Sequence, residues 1–156
     1  PIPRDYFHSR RISKKTTMNN TCPFCTTARQ ESRILRETDL TYVIFSNPRL
    51  MPGHLLVIPK RHIQRVVELT KEEQDEIFAL LAEFQEKILK NLTEGCDIRQ
   101  HYKPYVKDSR IKVSHMHWHL HPRDENDEMH QSDPQMHSLF QDLSDEEKEH
   151  LFKLLQ

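Results

Sequence analysis

Hydrophobic and polar residues follow different patterns along the chain, and these patterns predict short strands around one long helix. Residues 41–45 (TYVIF) are β-branched and aromatic, and residues 54–59 (HLLVIP) form an almost continuous apolar run that ends at a proline. Both runs are typical of short buried strands. Turn-forming residues separate them, at positions 46–49 and 52–53.

The longest periodic pattern predicts a helix over residues 70–92. Thr70 and Glu73 have the spacing of a capping box, in which each side chain bonds the other residue's backbone N–H. Gly95 is expected to stop the helix. The apolar residues recur at helical spacing, at Ile77, Leu80, Leu81, Phe84 and Ile88. A further strand is expected from residue 97, with a loop at 103–104.

Polar segments flank these elements. Residues 1–21 are basic and predict a mobile arm, or an arm that contacts a partner subunit or a polyanion. Residues 122–138 predict a long acidic loop. A second capping box, at Ser144 and Glu147, predicts a short C-terminal helix.

Residues 111–121 alternate with period two, which predicts a strand that has four histidines on one face. Neighbouring imidazoles of such a row are about 6.6 Å apart, and like charges keep them largely neutral at neutral pH. Neutral imidazoles are suited to nucleophilic attack on phosphorus, and a metal-binding stripe is the alternative. One face has Met116, Trp118 and Leu120, and the other has Val113, His115, His117, His119 and His121.

Composition excludes several classes of function. The chain has 156 residues and a formal net charge of -1, so no global basic excess indicates nucleic-acid binding. No apolar run is long enough for a membrane span, and none near the start indicates a secretory leader. Two glycines exclude a glycine-rich phosphate loop, and three cysteines favour a reducing cytoplasm.

Two motifs resemble those of the histidine triad (HIT) family. Residues 113–123 match the pattern V-x-H-x-H-x-H-x-x-P-R, and residues 52–62 are similar to its P-G-H…V-I-P-K-x-H segment. The resemblance implies an α+β fold, with an antiparallel sheet of about five strands and the long helix packed on one face. It also implies a homodimer whose sheets join across the interface. The expected organisation is a basic arm (1–21), a HIT domain (22–123), and an acidic loop with a C-terminal helix (124–156).

The resemblance implies a nucleotide hydrolase or nucleotidyl transferase that acts at the α-phosphate of dinucleoside polyphosphates or nucleoside phosphoramidates. His117 matches the nucleophile that forms a covalent nucleotidyl-histidine, His119 a phosphate contact, and His54 a supporting histidine. Ser46 or Asn47 matches the residue that holds the ribose. The candidates for the base pocket are Ile44, Phe45 and Leu55.

The segment just before the histidines departs from the family pattern. Many members have G-Q-[ST] where this chain has Arg110, Ile111 and Lys112, and the missing Gln and hydroxyl normally contact phosphate. On strict alternation, Lys112 points away from the histidine face. A nucleotide-binding module with little turnover is therefore one alternative function. A dinucleoside polyphosphate phosphorylase, which differs only in the acceptor, is another.

Cys22 and Cys25 form a C-x-x-C pair with two interpretations. A glutaredoxin-type redox pair requires a helix that opens at the first cysteine, whereas a structural zinc requires four N or S ligands. Resemblance to the zinc-containing, bacterial-type branch of the family implies that His62 and His115 complete the zinc site. We favour the zinc interpretation, in which His115 is a metal ligand and takes no part in the reaction. Cys96 is expected to be a small buried hydrophobe.

Overall fold

The computed structural model describes residues 21–26, 33–131 and 143–155. The described residues fall into two compact units, one within residues 15–124 and the other within residues 125–155. The basic arm lies outside the described residues except for position 21, and the domain boundaries stay a prediction. The elements are β1 (Ile34–Glu37), β2 (Thr41–Phe45), β3 (Leu55–Pro59), a short 3-10 helix (Val66–Glu68), α1 (Lys71–Asn91), β4 (Gly95–Gln100), β5 (Trp118–Arg123), α2 (Glu128–Gln131) and α3 (Asp145–Leu155).

The first unit contains a five-stranded antiparallel sheet in the order β1-β2-β3-β5-β4, with α1 packed on one face. This confirms the predicted fold class. The hairpin between β2 and β3 pairs Phe45 with Leu55, and the backbone N–H of Ser46 donates to the His54 carbonyl at 2.9 Å. Gly53 lies in the turn with a φ of 77°, a conformation that other residues adopt at a cost.

Helix α1 begins as the capping box predicts. The Thr70 side chain accepts the Glu73 N–H, and Glu73 accepts the Thr70 N–H at 2.8 Å. The predicted apolar face is buried against Met116, Trp118 and Leu120, which confirms that these residues share the core face of the sheet. None of the helices in the described ranges is long and apolar enough to cross a bilayer.

The expected role of Gly95 as a helix stop is wrong. The helix is capped at Leu92, whose N–H bonds the Ile88 carbonyl at 2.8 Å. Gly95 instead opens β4, where it pairs with Arg123 of β5. A Cβ atom at Gly95 would lie 3.1 Å from the Arg123 carbonyl oxygen, so the close approach of the two strands explains the glycine.

The strand that contains the histidines begins later in the chain than the alternating pattern predicts. The strand begins at Trp118, and an isolated bridge between Ser109 and Lys112 precedes it. Strand β3 pairs with β5 only from Leu55 to Val57, so the chain before Trp118 has no continuous strand beside it. The prediction of a strand over residues 111–117 is therefore wrong.

The chain after the histidines also differs from the expected uninterrupted loop. Pro122 and Arg123 belong to β5, because both pair with β4. The four-residue helix α2 lies within the segment predicted to be loop. Helix α3 confirms the C-terminal helix, and the Ser144 hydroxyl accepts the Glu147 N–H at 3.2 Å.

Candidate functional site

The histidines gather on the face of the sheet that is opposite α1. The ring centroids of His117 and His119 are 4.8 Å apart, and those of His119 and His121 are 5.3 Å apart. Both distances are shorter than the about 6.6 Å spacing of a regular strand. His54, just before β3, adds a ring 5.1 Å from that of His119.

The hydrogen bonds of His54 set the tautomers of two rings. The Leu50 N–H donates to His54 Nδ1 at 3.1 Å, so this nitrogen has the lone pair and the neutral ring has its proton on Nε2. His54 Nε2 lies 2.9 Å from His119 Nδ1 and therefore donates to it. His119 accepts at Nδ1, so its own proton is on Nε2. His119 is thus arranged as a hydrogen-bond donor.

His117 has the opposite arrangement. Its Nδ1 lies 2.6 Å from the His115 carbonyl oxygen, which can only accept, so Nδ1 has the proton. The lone pair is therefore on Nε2, the tautomer that a nucleophile requires. The Phe24 ring packs edge-on against the His117 ring, with centroids 5.1 Å apart, and fixes its plane.

These rings are neutral at neutral pH, as the sequence predicts, but burial is the first cause and charge repulsion the second. Burial, and then the neighbouring histidines, lower the pKa of His54 to about 3 and that of His119 to about 2. Burial also lowers the pKa of His117. The bond to the His115 carbonyl opposes this effect, and the charges of His101 and Lys112 add to it.

The residues of the predicted zinc site come together in one cluster. His115 Nδ1 lies 3.4 Å from Cys22 Sγ and 3.5 Å from Cys25 Sγ, and His62 Nδ1 lies 3.4 Å from Cys25 Sγ. A tetrahedral zinc with ordinary Zn–S and Zn–N bonds places S and N about 3.5 Å apart. His115 Nε2 donates to the Pro59 carbonyl at 2.8 Å, so the Nδ1 lone pair faces the sulfurs. The donor set fits zinc.

The thiols of this cluster are buried, at 5% exposure for Cys22 and 3% for Cys25. Burial raises the pKa of Cys22 to about 11, with smaller opposing contributions from backbone N–H groups. A cation bound at the cluster would stabilise the thiolate and so lower the pKa of Cys22 again.

A second group, His54, His119 and His121, has ring nitrogens within 4.8 Å of one another. The tautomers argue against a metal there, because the nitrogen that His54 directs at His119 has a proton and no lone pair. His121 is 3% exposed, and neither of its ring nitrogens has a hydrogen-bond partner among the described residues. An unbonded buried ring of this kind reduces stability by about 1–3 kcal/mol.

A family model described as the HIT domain matches residues 27–126. The chain belongs to the HIT family. Two curated relatives have enzyme names. A bis(5'-adenosyl)-triphosphatase from Dictyostelium discoideum is 32% identical over 94 residues, which cover 60% of this chain and 62% of that protein. The adenosine 5'-monophosphoramidase HINT3 from Danio rerio is 36% identical over 113 residues, which cover 67% of this chain and 66% of the relative.

This HIT chain therefore spans less than two thirds of the length of either relative. Among solved structures, a HIT family protein from Bacillus anthracis is 26% identical, with a TM-score of 0.60. The match covers 77% of this chain and 90% of that one.

The substrate-binding candidates of the HIT domain lie in two places. Ile44 is fully buried on the histidine face, whereas Leu55 packs in the core beneath α1, so the structure does not bring them into one pocket. Phe45 is 44% exposed. Ser46 lies beside His54, and its hydroxyl donates to the Pro48 carbonyl at 2.8 Å, while Asn47 is exposed. Their roles stay predictions.

Sequence reasoning missed two neighbours of the nucleophile candidate. Phe24 lies between the two cysteines, and its edge contacts with the rings of His115 and His117 follow once those cysteines join His115. Lys112 was expected to point away from the histidines. The chain is not a strand there, and the Lys112 charge lies close enough to lower the pKa of His117.

We predict that the stability of the HIT domain falls as the pH drops below about 6.5, the ordinary pKa of a histidine. Burial, with nearby charges, holds the pKa of His54 at about 3 and that of His121 at about 4. The unfolded chain therefore binds more protons in this window, and acid favours unfolding. The contribution of these neutral histidines to the free energy of unfolding is complete above about pH 6.5. It is lost as the pH falls toward their pKa values in the folded chain.

His121→Leu removes one such group. Urea unfolding should show a gain of about 1 kcal/mol at neutral pH and a pH slope smaller by about 1.4 kcal/mol per unit below pH 6. His130→Gln, on the exposed surface of α2, is the control. Parallel pH profiles for His121→Leu and the unaltered chain would refute this account of His121.

Proposed function

We propose that this chain is a nucleotide hydrolase or nucleotidyl transferase that acts at an α-phosphate through His117. The observation that supports this most directly is the bond from His117 Nδ1 to the His115 carbonyl, at 2.6 Å. Because this bond leaves the Nε2 lone pair free, His117 is ready to attack phosphorus without losing a proton first.

The two other rings have complementary roles in the proposed reaction. His117 Nε2 forms a bond to the α-phosphorus while the bond from phosphorus to the leaving group breaks. The N–H at His119 Nε2 donates a hydrogen bond to a phosphoryl oxygen and stabilises its negative charge. His54 holds His119 in that tautomer through the 2.9 Å bond. Water then attacks the phosphorus, the P–N bond breaks, and the nucleotide leaves.

The names of the relatives support two substrate classes, dinucleoside polyphosphates and nucleoside phosphoramidates. We assign the ribose contact to Ser46 or Asn47, since the Ser46 N–H bonds the carbonyl of His54. The base is assigned to the apolar residues near that turn, of which Ile44 is the one on the histidine face. If inorganic phosphate replaced water as acceptor, the same steps would give a phosphorylase.

We also propose that Cys22, Cys25, His62 and His115 hold a structural zinc. The S···N distances of 3.4–3.5 Å and the burial of both sulfurs support this. Zinc would link the N-terminal segment to the chain that leads into β5, and it supplies no step of the reaction. The cluster requires reduced thiols, which agrees with a cytoplasmic location.

The proposal includes a homodimer. Strand β4 is an edge of the sheet and exposes Ile98 at 40%, and an edge strand is open to pairing with a second copy. Sedimentation velocity should show a dimer for the unaltered chain and a monomer for Ile98→Glu. A monomer of the unaltered chain at about 10–100 µM would contradict this part of the proposal.

The mechanism predicts that His117→Gln lowers turnover by about 10⁴-fold or more, because the nucleophile is lost. AMP affinity should change little, since most contacts with the nucleotide remain. The substrates are diadenosine tetraphosphate and an adenosine phosphoramidate, with and without phosphate, and the products are identified by chromatography. A base-quenched sample of the unaltered chain should contain an adenylylated protein that His117→Gln lacks.

The control is again His130→Gln. Unchanged turnover in His117→Gln would refute the mechanism. If the folded, zinc-loaded chain bound AMP but turned over neither substrate, it would be a nucleotide-binding module.

The metal assignment predicts about one zinc per chain, by elemental mass spectrometry. Cys25→Ser should lose most of it and reduce the free energy of unfolding by at least about 2 kcal/mol, because the cluster closes the N-terminal segment onto the sheet. Cys96→Ser is the control, since Cys96 lies outside the cluster. Full zinc retention in Cys25→Ser would rule out this ligand set.

A further inference from the structure

Residues 101–112, which connect β4 to the segment before β5, form what we call the basic-aromatic loop. Its first residue lies beside the catalytic candidates, because the His101 ring packs edge-on against His119 with centroids 5.2 Å apart. Its last residue, Lys112, hydrogen-bonds Asp108 at 2.9 Å and also bonds the Ser114 hydroxyl. The first residue of the loop therefore contacts a catalytic candidate, and the last bonds the residue just before His115.

The loop has unneutralised positive charge. Across the described residues, Lys103, Lys107 and Arg110 form no ion pair. Several cations elsewhere in the described part of the same unit are paired, as Arg36 is with Glu83 and Arg61 with Glu73. Unpaired surface cations raise the local concentration of anions, so this loop attracts a negatively charged group.

The loop also exposes aromatic and apolar side chains. Tyr105 is 82% exposed, Tyr102 50% and Ile111 85%. An exposed aromatic ring provides a face on which a nucleobase stacks, and neighbouring cations contact the phosphates. One ring and one unpaired cation lie together, because Tyr102 and Lys103 line a shallow cavity with His101.

We propose that the basic-aromatic loop binds the leaving group of the substrate, and that this group is a phosphate chain ending in a second nucleoside. This rests on the proposed function, in which the bond from the α-phosphorus to the leaving group breaks as His117 attacks. The cations stabilise the negative charge that stays on the departing phosphates. The loop therefore favours dinucleoside polyphosphates over phosphoramidates, whose leaving amine has no phosphate for it to contact.

The test removes the unpaired charges with Lys103→Gln/Lys107→Gln/Arg110→Gln. The control, Lys71→Gln/Lys87→Gln/Lys90→Gln, removes three charges from α1. For the loop variant, kcat/KM on diadenosine tetraphosphate should fall about tenfold or more and lose its salt dependence. On an adenosine phosphoramidate with an uncharged leaving amine it should change less than about twofold. The control variant should have an unchanged kcat/KM on both substrates.

Tyr105→Ala tests the stacking in the same assay and should raise KM for diadenosine tetraphosphate only. Equal losses on both substrates, or no loss on either, would overturn the proposal. A loss confined to 5'-adenylylated oligonucleotides would also overturn it, because the occupant would be a nucleic acid.

A further measurement separates this proposal from the proposed function. If the unaltered chain turned over neither substrate, the proposed function would fail, and calorimetry with ATP and AMP would decide the loop's role. ATP is the leaving group of diadenosine tetraphosphate. Weaker ATP binding in the loop variant, with AMP binding unchanged, would support the proposal, and unchanged ATP binding would refute it.

Discussion

The arrangement of the site depends on His115, which takes part in two structures at once. Its side chain donates from Nε2 to the Pro59 carbonyl and directs Nδ1 at the two cysteine sulfurs. Its backbone carbonyl accepts a hydrogen bond from His117 Nδ1–H. The position that fits the metal cluster is therefore the position that sets the tautomer of the candidate nucleophile. Phe24, between the two cysteines, completes the coupling by packing against both rings.

Backbone groups, rather than charged side chains, divide the roles of the imidazoles. The Leu50 N–H makes His54 a donor, and His54 makes His119 an acceptor at Nδ1 and a donor at Nε2. The His115 carbonyl gives His117 the reverse tautomer. Burial keeps these rings neutral, so their protons stay where the hydrogen bonds place them. Two side chains of the same type, two residues apart, can thus act as nucleophile and as donor.

Sequence patterns predicted those features of the fold that depend on local spacing. The capping box at Thr70 was found because both partners lie within one helical turn. Trp118 and Leu120 lie on the opposite face of the sheet from the histidines, because side chains alternate between the two faces along a strand. The start of β5 could not be predicted, since it depends on where β3 stops pairing with it. Gly95 belongs to a strand for the same reason, because its partner, Arg123, is distant in the sequence.

Residue types and family motifs predicted that the cysteine pair and the histidines lie together, but neither the tautomers of the rings nor the separation of Ile44 from Leu55. The cysteine pair lies with His62 and His115 as the resemblance implies. The tautomers depend on distant backbone groups, such as the N–H of Leu50, and no motif shows these contacts. Alternation predicts the wrong direction for the Lys112 side chain, because the segment that contains it is not a strand.

The most direct test of this account is the tautomer of His117, measured by long-range ¹H–¹⁵N NMR on the metal-loaded chain at about neutral pH. We expect a neutral His117 ring with its proton on Nδ1 and an unprotonated Nε2, and the reverse for the ring of His119. A proton on Nε2 of His117, or a doubly protonated His117 ring, would contradict the claim that the His115 carbonyl prepares the nucleophile.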